Sequence, residues 1–215
     1  MSMIMNDELL DSLFNILSEY LSFQRHFTPP EITIFQRIFE KNYIRDTIYK
    51  DCVFGYEKDP SLSCISDLRY KKGILGLICY RVAHDLFNNN EKDLSFKLYC
   101  LNSICFSIDI DPRCSIESGV YIDHGTGVVI GETAKVGSNV LIFHGVTLGS
   151  LKIHNVRNKK RHPTVGSNVT IGCNSIILGD IYIEDGSKIA AGSFVIKDTK
   201  NNCGSLSEKD IGVTA

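Results

Sequence analysis

A six-residue rhythm runs through the second half of this 215-residue chain and admits very few folds. With an aliphatic residue at the first place of each hexad, the series is Ile110, Ile116, Ile122; then Ile130, Val136, Ile142, Leu148; then Val165, Ile171, Ile177, Ile183, Ile189, Val195. All thirteen are Ile, Leu or Val. Small residues cluster four places later, at Cys114, Thr126, Ala134, Ser175, Ser187, Ser193 and Thr199. Gly or an acid often follows the aliphatic, as at Asp111, Glu117, Gly131 and Gly172. Each hexad is a short strand plus a turn. Three hexads close one triangular coil, and coils stack as a parallel solenoid with the aliphatics inward and the small residues near the corners. A sandwich of evenly spaced strands would not hold this phase across thirteen units.

Such repeats resemble the hexapeptide left-handed β-helix, an exception to the right-handed crossover rule. Before Phe106 the spacing is helical instead. Leu9, Leu10, Leu13, Phe14, Leu17 and Leu21 follow the three-and-four rhythm of an amphipathic helix. Thr28-Pro29-Pro30 ends that region, Pro30-Glu31 opens the next helix, and Ile34, Phe35, Ile38 and Phe39 continue the pattern. Further helical stretches run from about Ser66 to Phe87 and from about Lys92 to Phe106. The expected fold class is therefore α+β, an N-terminal α-helical domain followed by a left-handed parallel β-helix. The boundaries read as 1–107 for the helical domain, 108–200 for the β-helix and 201–215 for a tail.

Composition narrows the partners. A formal net charge of −2 gives no global attraction to nucleic acid or an anionic membrane. No apolar run approaches the ~20 residues of a membrane span. The opening MSMIMNDELLDSLF is acidic at once and lacks the pattern of a secretory signal, so a cytoplasmic protein is expected. Eight cysteines are scattered without a CxxC pair, which argues for reduced, buried thiols rather than a zinc ribbon or disulfide framework.

The breaks in phase are where chemistry can sit, because the coils themselves are scaffold. Ile122 to Ile130 is eight residues, two more than a hexad, and holds Asp123-His124-Gly125. Leu148 to Val165 is seventeen, an extruded loop holding His154, Arg157, Lys159, Lys160, Arg161 and His162. Acyl transfer to a hydroxyl needs a base, a group that orients the base, and donors for the oxyanion. His124 suits the base. Asp109 lies fifteen residues earlier, close to one coil of eighteen, so the pair falls near one corner on adjacent coils. The basic loop is either a solvated charge run or a means of attracting an anion such as CoA. His144 reads as a wall residue, and His26 and His84 read as structural.

These segments carry a likeness. Asp109-Ile110-Asp111-Pro112, Ile122-Asp123-His124-Gly125-Thr126-Gly127 and Gly131-Glu132-Thr133-Ala134 resemble the core of the serine O-acetyltransferases. So do Gly145-Val146-Thr147-Leu148-Gly149 and Arg161-His162-Pro163, and upstream Asp59-Pro60, Lys72-Gly73 and Cys79-Tyr80-Arg81-Val82-Ala83-His84. The resemblance implies acetyl transfer from acetyl-CoA to L-serine, with no metal. His124 would be the general base and Asp109 its orienter. Asp59 and Asp123 would hold the serine ammonium or hydroxyl, and Arg161 and His162 its carboxylate. Gly149, Ser150, Cys173 and Ala191 would line the acetyl-CoA groove. It further implies a homotrimer with sites between subunits, a helical domain able to join two trimers into a hexamer, and L-cysteine as a competing feedback inhibitor. Ser150-Leu151 stands where the family usually has Gly-Thr. The family's closing Gly-x-Pro-Ala-Arg segment and terminal Ile are absent from IKDTKNNCGSLSEKDIGVTA, which weakens the expectation of docking into cysteine synthase.

Three other readings stay open on residues alone. One is a hexapeptide acetyltransferase for another acceptor such as a sugar. Another is a zinc hydratase of the γ-carbonic anhydrase kind, drawing ligands from His124, His144, His154 and His162. The third is a non-catalytic solenoid that scaffolds a partner.

Overall fold

The computed structural model of the chain describes residues 3–23, 27–151 and 159–199, with backbone alone at 3–6 and 21–23. His26, His154, Arg157, Cys203 and the tail 201–215 lie outside them. Five helices come first: α1 (Met3–Phe23), α2 (Pro29–Phe39), α3 (Asn42–Lys58), α4 (Lys72–Asn88) and α5 (Lys92–Phe106). The proline-opened α2 begins where expected, and the Glu31 carboxylate fixes it by accepting the Thr28 N–H at 2.7 Å and hydroxyl at 2.9 Å. The stretch read as helical from Ser66 is divided: a 3₁₀ segment (Ile65–Tyr70) precedes α4, and Lys71 between them is extended.

After Phe106, Ser107 turns the chain with φ of +57° into the first coil. That coil is β1 (Ile108–Ile110), β2 (Ser115–Ile116) and β3 (Tyr121–Ile122). The second is β4 (Val128–Ile130), β5 (Lys135–Val136) and β6 (Leu141–Ile142). The third is β7 (Thr147–Gly149), β8 (Thr164–Val165) and β9 (Thr170–Ile171). The fourth is β10 (Ile176–Leu178), β11 (Tyr182–Ile183) and β12 (Lys188–Ile189), and β13 (Phe194–Val195) opens a fifth. Like strands of successive coils pair in parallel, making a three-faced left-handed prism with faces β1-β4-β7-β10-β13, β2-β5-β8-β11 and β3-β6-β9-β12.

The register turns the sequence period into three internal columns. Ile110, Ile130, Leu148, Ile177 and Val195 stack on the first face. Ile116, Val136, Val165 and Ile183 stack on the second, and Ile122, Ile142, Ile171 and Ile189 on the third. All thirteen are buried. Burying one such side chain is worth about 1.5–3 kcal/mol, so the columns supply most of the drive to coil. The position four residues later is a second buried slot, and it is less restricted than the small-residue series suggested: Val120, Val140, Val146 and Val169 fill it as well as Cys114, Ala134 and Ser175. Thr126 departs from the series and is exposed, because the two-residue insertion after Ile122 swings it outward.

A solenoid leaves an unpaired edge at its first coil, which must be capped. Helix α4 supplies the cap. Tyr80 Oη donates to the Cys114 carbonyl at 2.9 Å and His84 Nδ1 to the Pro112 carbonyl at 2.7 Å. The Arg81 guanidinium donates to the carbonyls of Ile116 and Glu117, the latter at 2.6 Å. Arg81 also forks onto Asp51 of α3 at 3.1 Å through both Nε and Nη2, and Asp51 Oδ1 accepts the Val120 N–H at 2.9 Å. Asp51 and Arg81 are 1% and 6% exposed, so the pair and the strand-edge groups it serves share one desolvated cluster. Gly73 lets α4 press on β3: a Cβ there would collide with the Ile122 carbonyl oxygen.

The extruded loop re-enters the prism at Arg161-His162. The Thr133 hydroxyl accepts the N–H groups of Arg161 at 3.0 Å and His162 at 3.1 Å, leaving its own proton for His162 Nδ1 at 2.8 Å. The Thr133 N–H also points to Nδ1, at 3.2 Å. Nδ1 is therefore an acceptor and the imidazole is neutral. The ring lies against Gly131, where any Cβ would meet it. Burial first, and then the neighbouring Arg161 charge, hold His162 below the usual histidine value.

Two outcomes follow from the cap and the loop anchor. Arg81→Met strands a buried carboxylate and is expected to cost about 3–5 kcal/mol in urea unfolding. Asp51→Leu combined with Arg81→Met is expected to recover only part of this, since the carbonyls of Ile116 and Glu117 stay unpaired. The unfolded chain protonates His162 near pH 6.5 and the folded chain only at lower pH. Its contribution is thus complete above pH ~6.5 and is lost as pH falls below it. The thermal midpoint is expected to drop between pH 7 and pH 5, with a shallower drop in His162→Asn.

Candidate active site

Each edge of the prism collects the turns between two faces. The third-to-first-face edge holds 123–127, 143–146, 172–175 and 190–193. The first-to-second-face edge holds 111–114, 131–134, 150–151 with 159–163, and 179–181. The residues singled out from sequence divide between these two edges and the helical cap.

His124 sits on the first of these edges, in the widened turn. Its φ is +59°, left-handed backbone that costs a non-glycine residue about 1–2 kcal/mol, and Gly125 and Gly127 follow at +77° and +75°. The turn is pinned by Gly125 N–H to Asp123 O at 2.7 Å, Gly127 N–H to Ser107 O at 2.8 Å and Gly145 N–H to Thr126 O at 2.8 Å. The strained backbone thus presents an imidazole that is 70% exposed. His124 Nε2 is 3.8 Å from Asp123 Oδ2, and its ring meets that of His144, one coil on, edge to face with centroids 5.8 Å apart.

Asp109 lies in β1, in register with Val129 of the next coil. Its Oδ1 accepts the Tyr99 hydroxyl of α5 at 2.5 Å. Among the described residues no hydrogen bond joins Asp109 directly to His124. Burial first, then the hydrogen bond to Asp109, push the Tyr99 phenol well above its ordinary value, so it stays a donor.

Asp59 follows α3 and is held against β3 by Tyr121, which lies two residues before Asp123 and whose buried hydroxyl donates to Asp59 Oδ2 at 2.9 Å. Lys71 Nζ reaches the same oxygen at 2.8 Å. Ser61 donates to Oδ1 through its N–H at 2.9 Å and its hydroxyl at 2.5 Å. Burial alone would raise the Asp59 carboxyl, but these donors outweigh it and hold the group well below the carboxylate range. Lys72 Nζ meets the Thr126 hydroxyl, tying the start of α4 to the His124 turn.

Arg161 and His162 stand on the other edge. Arg161 pairs with Glu132, which also takes Arg113 at 2.5 Å, while Arg113 Nη2 reaches Asp111 at 2.6 Å. A cavity of about 420 Å³ opens there among Arg113, Thr133, Lys135, Lys159 and Lys160. Cys173, half-buried, and Ala191, exposed, lie on the His124 edge and are stacked, with Gly192 N–H donating to Cys173 O at 2.8 Å. Gly149 ends β7 on the first face, and Ser150 starts the opposite turn. One prism therefore does not bring the two groups of residues together. Among the described residues no three His, Cys, Asp or Glu side chains converge as metal ligands, and no helix is long and apolar enough to cross a membrane. Sequence reasoning missed Tyr99, Tyr121 and Lys71, whose pairings depend on how the helices dock.

The comparisons agree with this architecture. The family model "Bacterial transferase hexapeptide (six repeats)" matches residues 162–197. The serine acetyltransferase of Buchnera aphidicola from Schizaphis graminum is 39% identical over 199 residues, 92% of this chain and 76% of that one. The Neisseria gonorrhoeae serine acetyltransferase, solved in complex with serine, superposes with a TM-score of 0.79 at 35% identity, covering 88% of this chain and 78% of that one. A serine acetyltransferase solved in complex with CoA gives a TM-score of 0.75 at 32% identity, covering 89% and 78%. With a relative 39% identical across 92% of this chain and 76% of its own length, and a like fold in the solved structures, the chain belongs to the serine acetyltransferase family.

Proposed function

We propose that this chain is a serine O-acetyltransferase, moving the acetyl group of acetyl-CoA to the hydroxyl of L-serine. The observation that carries the reading is His124, an exposed imidazole held on strained backbone beside Asp123. In the forward step His124 takes the serine hydroxyl proton as the oxygen attacks the thioester carbonyl. The tetrahedral intermediate then collapses, the C–S bond breaks, and the imidazolium returns the proton to the CoA sulfur. The products are O-acetylserine and CoA. Asp109 orients the imidazole through the oxygen that Tyr99 leaves open. A carboxylate–imidazole pair of this kind keeps the base in the useful tautomer.

An amino acid carries both charges, and the chain has partners for both. Asp59 and Asp123 stand near His124 for the ammonium, and Arg161 with His162 serves the carboxylate. The separation of these sets onto two edges supports a cyclic trimer in which the His124 edge of one copy faces the Arg161 edge of the next. The CoA groove then lies along that seam, past Gly149, Ser150, Cys173 and Ala191. L-cysteine, with the same charged ends, competes at the serine site. A sugar acceptor would leave both sets of charges without partners.

Thiol release from acetyl-CoA with L-serine tests the reaction, and its absence would overturn the proposal. His124→Ala is expected to lose about 10²–10⁴-fold in kcat with its fold intact. A random equal mixture of His124→Ala and Arg161→Ala chains, each inactive alone, is expected to regain about a quarter of the sites if each is shared between two copies. No recovery would place every group within one chain.

A further inference from the structure

The Asp59 carboxylate is already full. A carboxylate offers about four acceptor positions, and four donors occupy them: the Ser61 N–H and hydroxyl on Oδ1, Tyr121 Oη and Lys71 Nζ on Oδ2. For Asp59 to receive a substrate ammonium, one donor must leave. The Ser61 bonds close a local turn on the backbone. Tyr121 is 1% exposed, and its ring is so tightly seated that a Cβ at Gly55 would lie 2.7 Å from it. Lys71 differs on every count. It is a flexible side chain 30% exposed, and it stands on the extended residue between the 3₁₀ segment and α4. Among the described residues its only other bond is to the Ser61 hydroxyl at 2.8 Å. Its head group has the charge and the three N–H donors of an α-ammonium.

We infer that Lys71 is a built-in competitor for the substrate ammonium, holding Asp59 in the empty site and swinging out when an amino acid binds. This rests on the reading that Asp59 receives the ammonium of the acceptor. It gives the site a specificity device. A neutral acceptor has nothing to exchange for Lys71, whereas an amino acid replaces one cation by another at no net loss of charge pairing. The same exchange weakens amino-acid binding, since the lysine contact must be broken first.

Two measurements test it on the full chain. In the first, surface amines of the wild-type protein are labelled with acetic anhydride and read by mass spectrometry, with and without L-serine. Lys71 labelling is expected to rise severalfold with L-serine and to stay unchanged with N-acetyl-L-serine, which lacks the cation. In the second, Lys71→Met is expected to lower KM for L-serine about threefold, the scale of a partly exposed ion pair, with kcat moving less than KM and Lys71→Arg staying near wild type. Protection of Lys71 by L-serine, or no change in its labelling, would overturn the inference. So would a raised KM in Lys71→Met, which would make the lysine a prop for Asp59. Failure of the underlying reading shows in a different measurement: if Asp59 does not receive the ammonium, Asp59→Asn leaves KM for L-serine unchanged. The labelling experiment stands even if the variant fails to fold.

Discussion

Thirteen aliphatic side chains stacked in three columns hold the catalytic half together, and the rest of the molecule is arranged around that stacking. Each coil gives up only one fully committed inward residue per hexad, plus a second slot that takes Cys, Ala, Ser or Val. The corners between hexads are consequently free to vary. They tolerate left-handed residues at Asn139, Asn168 and Asn174, and they tolerate insertion outright. Two extra residues after Ile122 and eleven extra before Val165 leave the columns in register on either side. Chemistry can be mounted on such corners because the interior does not notice them.

The stacking also creates the problem that the helices solve. A first coil with no coil beneath it exposes carbonyls and N–H groups along all three strands. Tyr80, Arg81 and His84 on α4 and Asp51 on α3 answer them individually, through side chains that are themselves buried or half-buried. Capping and site formation share one surface. The residues that terminate the solenoid hold α3 and α4 against β3, and that contact sets Asp59 and Lys71 against Tyr121 and brings Lys72 to the His124 turn. Removing the cap would therefore disturb the site even though no capping residue touches it.

Much of this was readable in the chain, and the boundary of what was readable is physical. The columns were legible residue by residue, because a six-residue period depends only on spacing and the interior admits little but Ile, Leu and Val. The helices α1 and α2 were legible for the same reason, along with the Pro-opened start of α2. Helix α3 was not delimited: its buried face includes Asp51 and Gly55, which break the apolar rhythm, and both are there to meet β-helix residues far along the chain. Thr126 was placed with the inward small residues because the count ignored the outward swing that the insertion imposes. At the site, the motif residues were visible while their partners Tyr99, Tyr121 and Lys71 were not. Tyr121 and Asp59 are 62 residues apart, and only the docking angle of α3 brings them together.

The division of the site residues between two edges is itself a consequence of the prism. A triangular coil has a packed interior, so no side chain reaches across from one edge to another, and groups on different edges of one copy stay apart. In the proposed trimer, distributing the amino-acid partners this way would put the site on a seam between copies, each copy giving its His124 edge to one neighbour and its Arg161 edge to the other. That proposed arrangement would account for the firm hold on Arg161 and His162 within the single chain. His162 is neutral and locked by Thr133, and Arg161 is braced by Glu132 within a network that runs through Arg113 to Asp111. A group that must act on a neighbour's substrate cannot be positioned by that substrate's other contacts, so its own chain has to fix it beforehand.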